Sequence, residues 1–338
     1  MTLLDEARRI ADEVLFPAAA EVDRAPLVPV EQLELLAAAG LYGAAAPASV
    51  GGADLPLPEF SLLVEALAGG SLATAFVWAQ HHGLVRTLAG LPATAQLRVD
   101  RLAELAAGTC KAGAAYGGLL PGPPRLRATP NPAGGWLLSG ESPWVTGWGL
   151  VDVLHVAARA ADDTVVWQIV DAVEQPGLRA ERLRTVAADS ASTVRLEFAG
   201  LPVPAGRQTL VEPYSAPGVT GPPLRSNGSL ALGVAGRCRS LIGPGGPADE
   251  LGAELAACRT ALDEAIGSAE PEAMPAARAA AAALAVRAAA ALAVSTGATA
   301  ALAGSAAERL TREALFLLVF GSRPPIKAAL LDRLAGRG

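Results

Sequence analysis

Lysine is almost missing from this chain of 338 residues, where Lys111 and Lys327 are the only two. Arginine carries the remaining positive charge without forming a basic block, and the net charge is −6. Neutralising a phosphate backbone needs a concentrated basic surface, so a nucleic-acid partner is excluded. Cysteine is scarce as well. Cys110, Cys238 and Cys258 stand apart, form no C-x-x-C pair and leave an odd count, which excludes a disulfide framework and a structural zinc site and fits a reduced cytoplasm. No Walker A segment, H-E-x-x-H or G-x-S-x-G is present, and Gly243-Pro244-Gly245-Gly246 follows a helical run, not a strand, so it is a loop and no dinucleotide fingerprint. Residues 288–307 lack charge over the length of a bilayer span. Alanine dominates there, with Ser295, Thr296, Gly297 and Thr299 among it, so a packed bundle helix is expected and no membrane span. Asp5 and Glu6 stand where an export signal would be basic, which points to a cytoplasmic protein.

What is present is apolar: 51% of residues are hydrophobic and only 18% charged, the composition of a globular chain long enough for two or three units. Residues 3–15 repeat their apolar positions with helical spacing, and Pro17 is expected to end that helix. Further helices are expected over 29–39, 58–67, 71–88 and 93–107, with Gly40 as a C-terminal cap. From Cys110 the pattern changes to short valine-, leucine- and tryptophan-rich runs between Gly and Pro clusters, at 136–139, 151–158, 165–170 and 194–198. Beyond Pro223 helical periodicity returns over 224–242, 249–266, 275–302 and 308–320, with a short last helix at 326–334. The expected class is α+β, with an N-terminal α-helical domain over 1–110, a central small β-barrel or sandwich domain over 111–208 and a C-terminal four-helix bundle over 209–338. His81 and His82 are neighbours on a helix and point about 100° apart, so they cannot share a metal ion. A surface or half-buried place is expected for both, with His82 open to lining a ligand cavity.

Aromatic residues make up only 4% of the chain, which draws attention to Gly140-Glu141-Ser142-Pro143-Trp144-Val145-Thr146-Gly147, expected as a short connection between two strands. This stretch resembles the G-x-K-x-W-I-T-N segment beside the flavin in the acyl-CoA dehydrogenase superfamily, with Ser142 for the usual Lys and Gly147 for the usual Asn. Three further stretches resemble the same family in the same order. They are Gly40-Leu41 with Pro47 and Gly51-Gly52, the strand and exit turn from Ser192-Thr193 through Phe198 to Val203-Pro204, and Arg312-Glu313-Ala314 for the family's R-D-A. The family's T-E-P-x-A-G-S-D loop has no counterpart: residues 114–122 contain no Thr, Ser, Glu or Asp. The resemblance implies FAD held at Trp144, Val145 and Thr146, an acyl-CoA or other acyl thioester as substrate, and a homo- or hetero-oligomer.

Such enzymes remove a proton α to the thioester carbonyl while hydride leaves the β-carbon for the flavin, so a carboxylate must face the flavin across the substrate. In most members it lies in a Y-E-G-T segment after R-D-A. Counting on from Arg312 puts that segment on Phe320-Gly321-Ser322-Arg323, with Gly321 at the Glu position. Some branches place the acid in the first bundle helix, which falls here on Pro223-Leu224-Arg225, again without a carboxylate. Glu141 and Asp189 are the acids nearest in sequence to the flavin segments and stand as candidates for a relocated base. Three readings follow: a dehydrogenase whose base comes from a partner subunit or a relocated acid, a flavin-dependent monooxygenase that needs no such base, and a non-catalytic interaction subunit without FAD.

Overall fold

Pro17, expected to end the first helix, sits inside it. In the computed structural model, which describes residues 2–119, 122–214 and 221–336, α1 (Leu3–Ile10) passes through one π-helical turn (Ala11–Leu15) into α2 (Phe16–Arg24). A proline has no N–H to give, and in an α-helix its ring meets the carbonyl four residues back. Widening the preceding turn, so that the Phe16 N–H bonds Ala11 O five residues back, opens room for the ring. A capping box starts the helix, with the Thr2 hydroxyl accepting from Asp5 N–H and the Asp5 carboxylate accepting from Thr2 N–H. Helices α3 (Val30–Ala38), α4 (Leu57–Gly70), α5 (Leu72–Ala89) and α6 (Gln96–Ala107) complete the N-terminal layer.

The widened turn also receives a neighbour. Gly70, the last residue of α4, lies so near it that a Cβ there would stand 2.9 Å from both Ala11 Cα and Leu15 Cβ. On its other side α4 meets α7 (Pro222–Ile242), the first helix of the C-terminal bundle. A Cβ on Gly233 of α7 would come within 2.4 Å of Glu65 O and 2.8 Å of Ala68 Cβ. Backbone therefore packs directly on backbone, and α4 is held between the first helix and the bundle.

Between these helical layers lies a sheet of eight strands: β1 (Ala112–Ala115), β2 (Leu126–Pro130), β3 (Trp136–Val145), β4 (Val153–Arg159), β5 (Thr164–Asp171), β6 (Leu178–Arg182), β7 (Val194–Val203) and β8 (Gln208–Pro213). The order is β6-β7-β3-β2-β4-β5-β8, with β1 also paired to β4 in parallel. β8 pairs with β5 from Gln208 onward, so the sheet runs past the expected boundary at 208. Sequence periodicity passed over β1, β2, β6 and β8, which are short or carry charged residues.

The bundle continues through α8 (Gly246–Glu264), α9 (Ala273–Thr296) and α10 (Ala306–Val319), with the short α11 (Pro324–Leu334) packed on α9. Small side chains let α9 enter deeply: Ala279, Ala281, Ala282, Ala285 and Ala288 are fully buried. Residues Ala273–Ala301 are long and apolar enough to cross a membrane by length and composition, and 44% of the most apolar stretch is buried within the fold. One arginine joins the three layers. Arg312 on α10 donates to Asp23 of α2 at 2.6 Å, to Val186 O in the loop between β6 and β7 at 2.9 Å, and to Glu308 on its own helix.

The crossing of α4 and α7 yields a direct test. Gly233→Val must push two backbones apart and is expected to destabilise by about 1–3 kcal/mol or more. Gly236→Ala on the same helix, where a Cβ meets nothing within 4 Å, is expected to stabilise by about 0.5–1 kcal/mol. Urea denaturation of both variants checks the contrast, and equal effects would contradict the close contact.

Candidate functional site

Trp144 is not on a connection but inside β3, at a bulge. Ser142 pairs with Leu196 and Val145 with Val194, so Pro143 and Trp144 together oppose the single residue Arg195. Proline has no N–H to place in the ladder, which suits it to this irregular position. Trp144 then takes a left-handed backbone, φ +61°, which costs a residue with a side chain about 1–2 kcal/mol. The bulge re-aims the indole, and 65% of the residue is exposed, while Val145 beside it is wholly buried. A large aromatic held outward at a conformational cost is a feature that packing alone does not call for. Thr146, the next residue along, is buried, and its Oγ1 lies 3.2 Å from Thr193 Oγ1, so one of these hydroxyls donates to the other.

Two further segments border this place. The turn after β1 rests on the bulge so closely that a Cβ on Gly117 would stand 2.2 Å from Pro143 O. Tyr116 in that turn keeps 38% of its surface, and burial raises its pKa while Arg323 nearby works in the opposite direction. Arg323 caps α11 at the end of residues 320–323, the turn leaving α10. Phe320 in the same turn meets Phe76 of α5 edge-on at 4.6 Å between ring centroids. The Tyr116 turn thus rests on the Trp144 bulge and lies within electrostatic reach of Arg323, so β3, the β1 turn and the bundle are linked through Tyr116 although far apart in sequence.

The N-terminal residues 1–109 match the family model described as acyl-CoA dehydrogenase, N-terminal domain. The whole fold superposes on a solved glutaryl-coenzyme A dehydrogenase–glutaryl-CoA complex with a TM-score of 0.84 at 18% identity, covering 99% of this chain and 95% of that one. The N-terminal part thus matches the acyl-CoA dehydrogenase family, and the whole chain has the acyl-CoA dehydrogenase fold. Among curated relatives, benzylmalonyl-CoA dehydrogenase of Aromatoleum aromaticum is 27% identical over 245 residues, 68% of this chain. That match spans 63% of the relative, less than two thirds of its length. A structure of PigA with FAD and proline superposes with a TM-score of 0.79 at 18% identity, covering 99% of this chain and 97% of that one.

By their chemistry the Trp144 and Thr146 positions would fit an isoalloxazine ring, with an outward aromatic for its face and a hydroxyl pair beside it. For the phosphates, the described part of residues 114–122 offers no side-chain hydroxyl other than the Tyr116 phenol, and Leu120 and Pro121 lie outside the described residues. Neither acid singled out from the sequence joins this group by a hydrogen bond or ion pair among the described residues. Glu141 is paired with Arg125 across from β3. Asp189 accepts from Thr185 N–H at 2.9 Å and lies 3.2 Å from Arg184, in a separate cleft of about 360 Å³ shared with Asp23 and Arg312.

The alternative base location in the first bundle helix holds a cation. Arg225 is fully buried, its Nε donates to Asp263 at 2.6 Å, and its Nη2 lies 3.7 Å from Glu65, which Arg259 also grips at 2.7 Å. Sequence reasoning missed Glu65; its only signal is an acid within the apolar run Leu62-Leu63-Val64-Glu65-Ala66-Leu67. In Arg312-Glu313-Ala314, Arg312 makes the three-layer contact, while Glu313 is buried against Arg309 and burial raises its pKa.

His81 and His82 are both buried, contrary to the expected surface place. His81 Nδ1 accepts from Ala112 N–H at 3.1 Å, so its Nε2 carries the proton and donates to Leu105 O at 3.1 Å. It joins α6 to β1 as a neutral ring, with a pKa pushed down to about 3 by burial. His82 packs edge-on against Phe60 and Trp78, with both ring nitrogens buried and without a partner among the described residues, and burial holds its pKa well below the usual value. His155 on β4 bonds Thr209 Oγ1 at 2.9 Å and also titrates near 3 because it is buried.

These groups set an acid limit. His81 and His155 each bind a proton in the unfolded chain below about pH 6.5 but not in the folded one until about pH 3, so their stabilisation is complete above pH 6.5 and falls as pH drops. His81 and His155 are each expected to remove about 2 kcal/mol by pH 5. Thermal melts from pH 7.5 to 4.5 should show this decline, and His155→Gln should make it shallower; an unchanged slope would refute a neutral buried His155.

Proposed function

We propose that the chain is an FAD-binding, acyl-CoA dehydrogenase-like subunit that acts on an acyl thioester and receives its catalytic carboxylate from outside the chain. The observation that carries this reading is Trp144, held outward at the β3 bulge beside the Thr146–Thr193 hydroxyl pair. Trp144 would offer its face to the ring system, Val145 would anchor the strand from beneath, and Thr146 would present a hydroxyl to the polar edge. FAD, when bound there, supplies the two-electron acceptor. Gly321, without a side chain, leaves the substrate space between sheet and bundle open on the bundle side. A curated relative named for benzylmalonyl-CoA and a fold neighbour solved with glutaryl-CoA support a thioester ligand.

A partner is part of the proposal. Both base positions lack an acid, and Glu141 and Asp189 are tied to arginines. Val294 near the end of α9, Leu302 beyond it, and Leu315 and Val319 on α10 are exposed apolar residues suited to a subunit contact. The same empty base positions favour a second reading, oxygen insertion by a flavin-dependent monooxygenase, and a fold neighbour solved with FAD and proline supports a ligand that is no thioester.

The purified protein is expected to be yellow or to take up FAD from solution, with Trp144→Ala weakening binding about tenfold and Trp144→Phe retaining most of it. Absorbance at the flavin maximum decides; a colourless protein indifferent to added FAD leaves only the non-catalytic reading. The isolated chain is further expected to be an oligomer by light scattering, yet to dehydrogenate acyl-CoA at least about 10² to 10⁴ times more slowly than an enzyme with its base. Rapid turnover by the chain alone would show that an internal acid does the work.

A further inference from the structure

The turn at Gly321 is bordered by three donor side chains, one of which keeps a buried N–H group without an acceptor. Arg278 on α9 lies beneath the turn, 2% exposed, with Nη2 donating to Leu317 O at 3.0 Å and to Phe320 O at 3.3 Å. Its Nη1 is buried without a partner, and no carboxylate among the described residues comes within ion-pair distance of the guanidinium. Burial alone lowers its pKa, to about 10. Asn227 on α7 approaches from another side: a Cβ on Gly321 would stand 3.0 Å from its Nδ2, and apart from that amide group it would meet nothing within 4 Å. Arg323, two residues on and half-buried, makes no side-chain hydrogen bond or ion pair among the described residues. Three elements thus bring donor groups to the turn, with the Asn227 amide next to Gly321, Arg278 beneath Phe320 and Arg323 two residues on.

A buried guanidinium N–H without an acceptor, as at Arg278 Nη1, is costly unless an acceptor arrives. A guanidinium presents its N–H groups in a fork that suits a carboxylate. We propose that the turn over residues 320–323 is a preformed carboxylate site, in which Arg278, Asn227 and Arg323 hold the remote acid group of a dicarboxylic acyl thioester. The thioester part rests on the function proposed above. A catalytic base from a partner is a poorer occupant, because two adjacent cations would hold a carboxylate ionised and weaken it as a proton acceptor. An acid group that remains an anion throughout suits the place. Gly321, at φ +63°, is also a position where a side chain would strain the backbone, so the opening is built into the turn.

The test uses paired ligands on the full chain. Glutaryl-CoA is expected to bind about tenfold or more tightly than pentanoyl-CoA by calorimetry. In Arg323→Gln, whose half-buried side chain makes folding failure a minor risk, the preference should shrink to within about twofold while pentanoyl-CoA binding persists. Sodium glutarate alone should raise the melting temperature of the wild type but not of Arg323→Gln or of Gly321→Glu, which would supply its own carboxylate. If glutarate stabilises the wild type selectively while neither thioester binds, the carboxylate site stands and the acyl-CoA reading falls. A wild type that binds both thioesters equally and ignores glutarate overturns the site, as does a preference that survives in Arg323→Gln. No response to any of the three ligands overturns it as well.

Discussion

Backbone touches backbone where α4 crosses α7, and the remaining geometry depends on that contact. A side chain at Gly233 would need to occupy the volume of Glu65 O, and one at Gly70 that of Ala11 and Leu15. Helices this close cannot slide without collision, because packed interiors are near-incompressible. The N-terminal layer and the bundle therefore form one frame, and Phe76, at the front of that frame, fixes Phe320 and the turn behind it.

Charge is distributed unevenly over that frame. Arg225, Arg259 and Arg312 are matched by Glu65, Asp263 and Asp23, while Arg278 and Arg323 have no acid among the described residues. Matched pairs hold helices in register. The unmatched pair flanks Gly321, one of the two places where the family resemblance leads one to expect an acid and none stands here. Burial of Arg278 is tolerable because Leu317 O and Phe320 O lie at the negative end of α10, where a cation is favoured.

The order helices, sheet, helices was legible because each layer keeps its own hydrophobic period, and the Trp-Val-Thr segment was legible because tryptophan is rare here. What escaped the sequence depends on contacts between remote residues. Pro17 reads as a helix end, but the widened turn before it lets the helix continue. Trp144 reads as a connection because no local signal marks where β3 carries one residue more than β7. The histidines read as half-exposed because the Leu105 and Ala112 groups that meet His81 come from another helix and a strand. Arg278 is a lone cation in Ala276-Ala277-Arg278-Ala279-Ala280, where the alanines announce burial and its donors' destination stays hidden. Asp189 was near the right segment in the chain, yet its carboxylate is folded back on Thr185.

The π-turn at Ala11–Leu15 bears on how this chain can be compared with others. Its hydrogen bond reaches five residues back instead of four, so the turn holds one residue more than an α-turn would. Every side chain from Phe16 to Arg24 is consequently rotated by about 100° relative to an unbroken α-helix. The rotated set includes Asp23, which meets Arg312, and Phe16, whose ring lies under the Arg237 guanidinium at 4.3 Å. A related chain with a regular helix here would preserve these contacts only by being one residue shorter before Phe16. A gap of one in that interval is therefore a change of helical phase, and an ungapped alignment across it would pair residues on different faces.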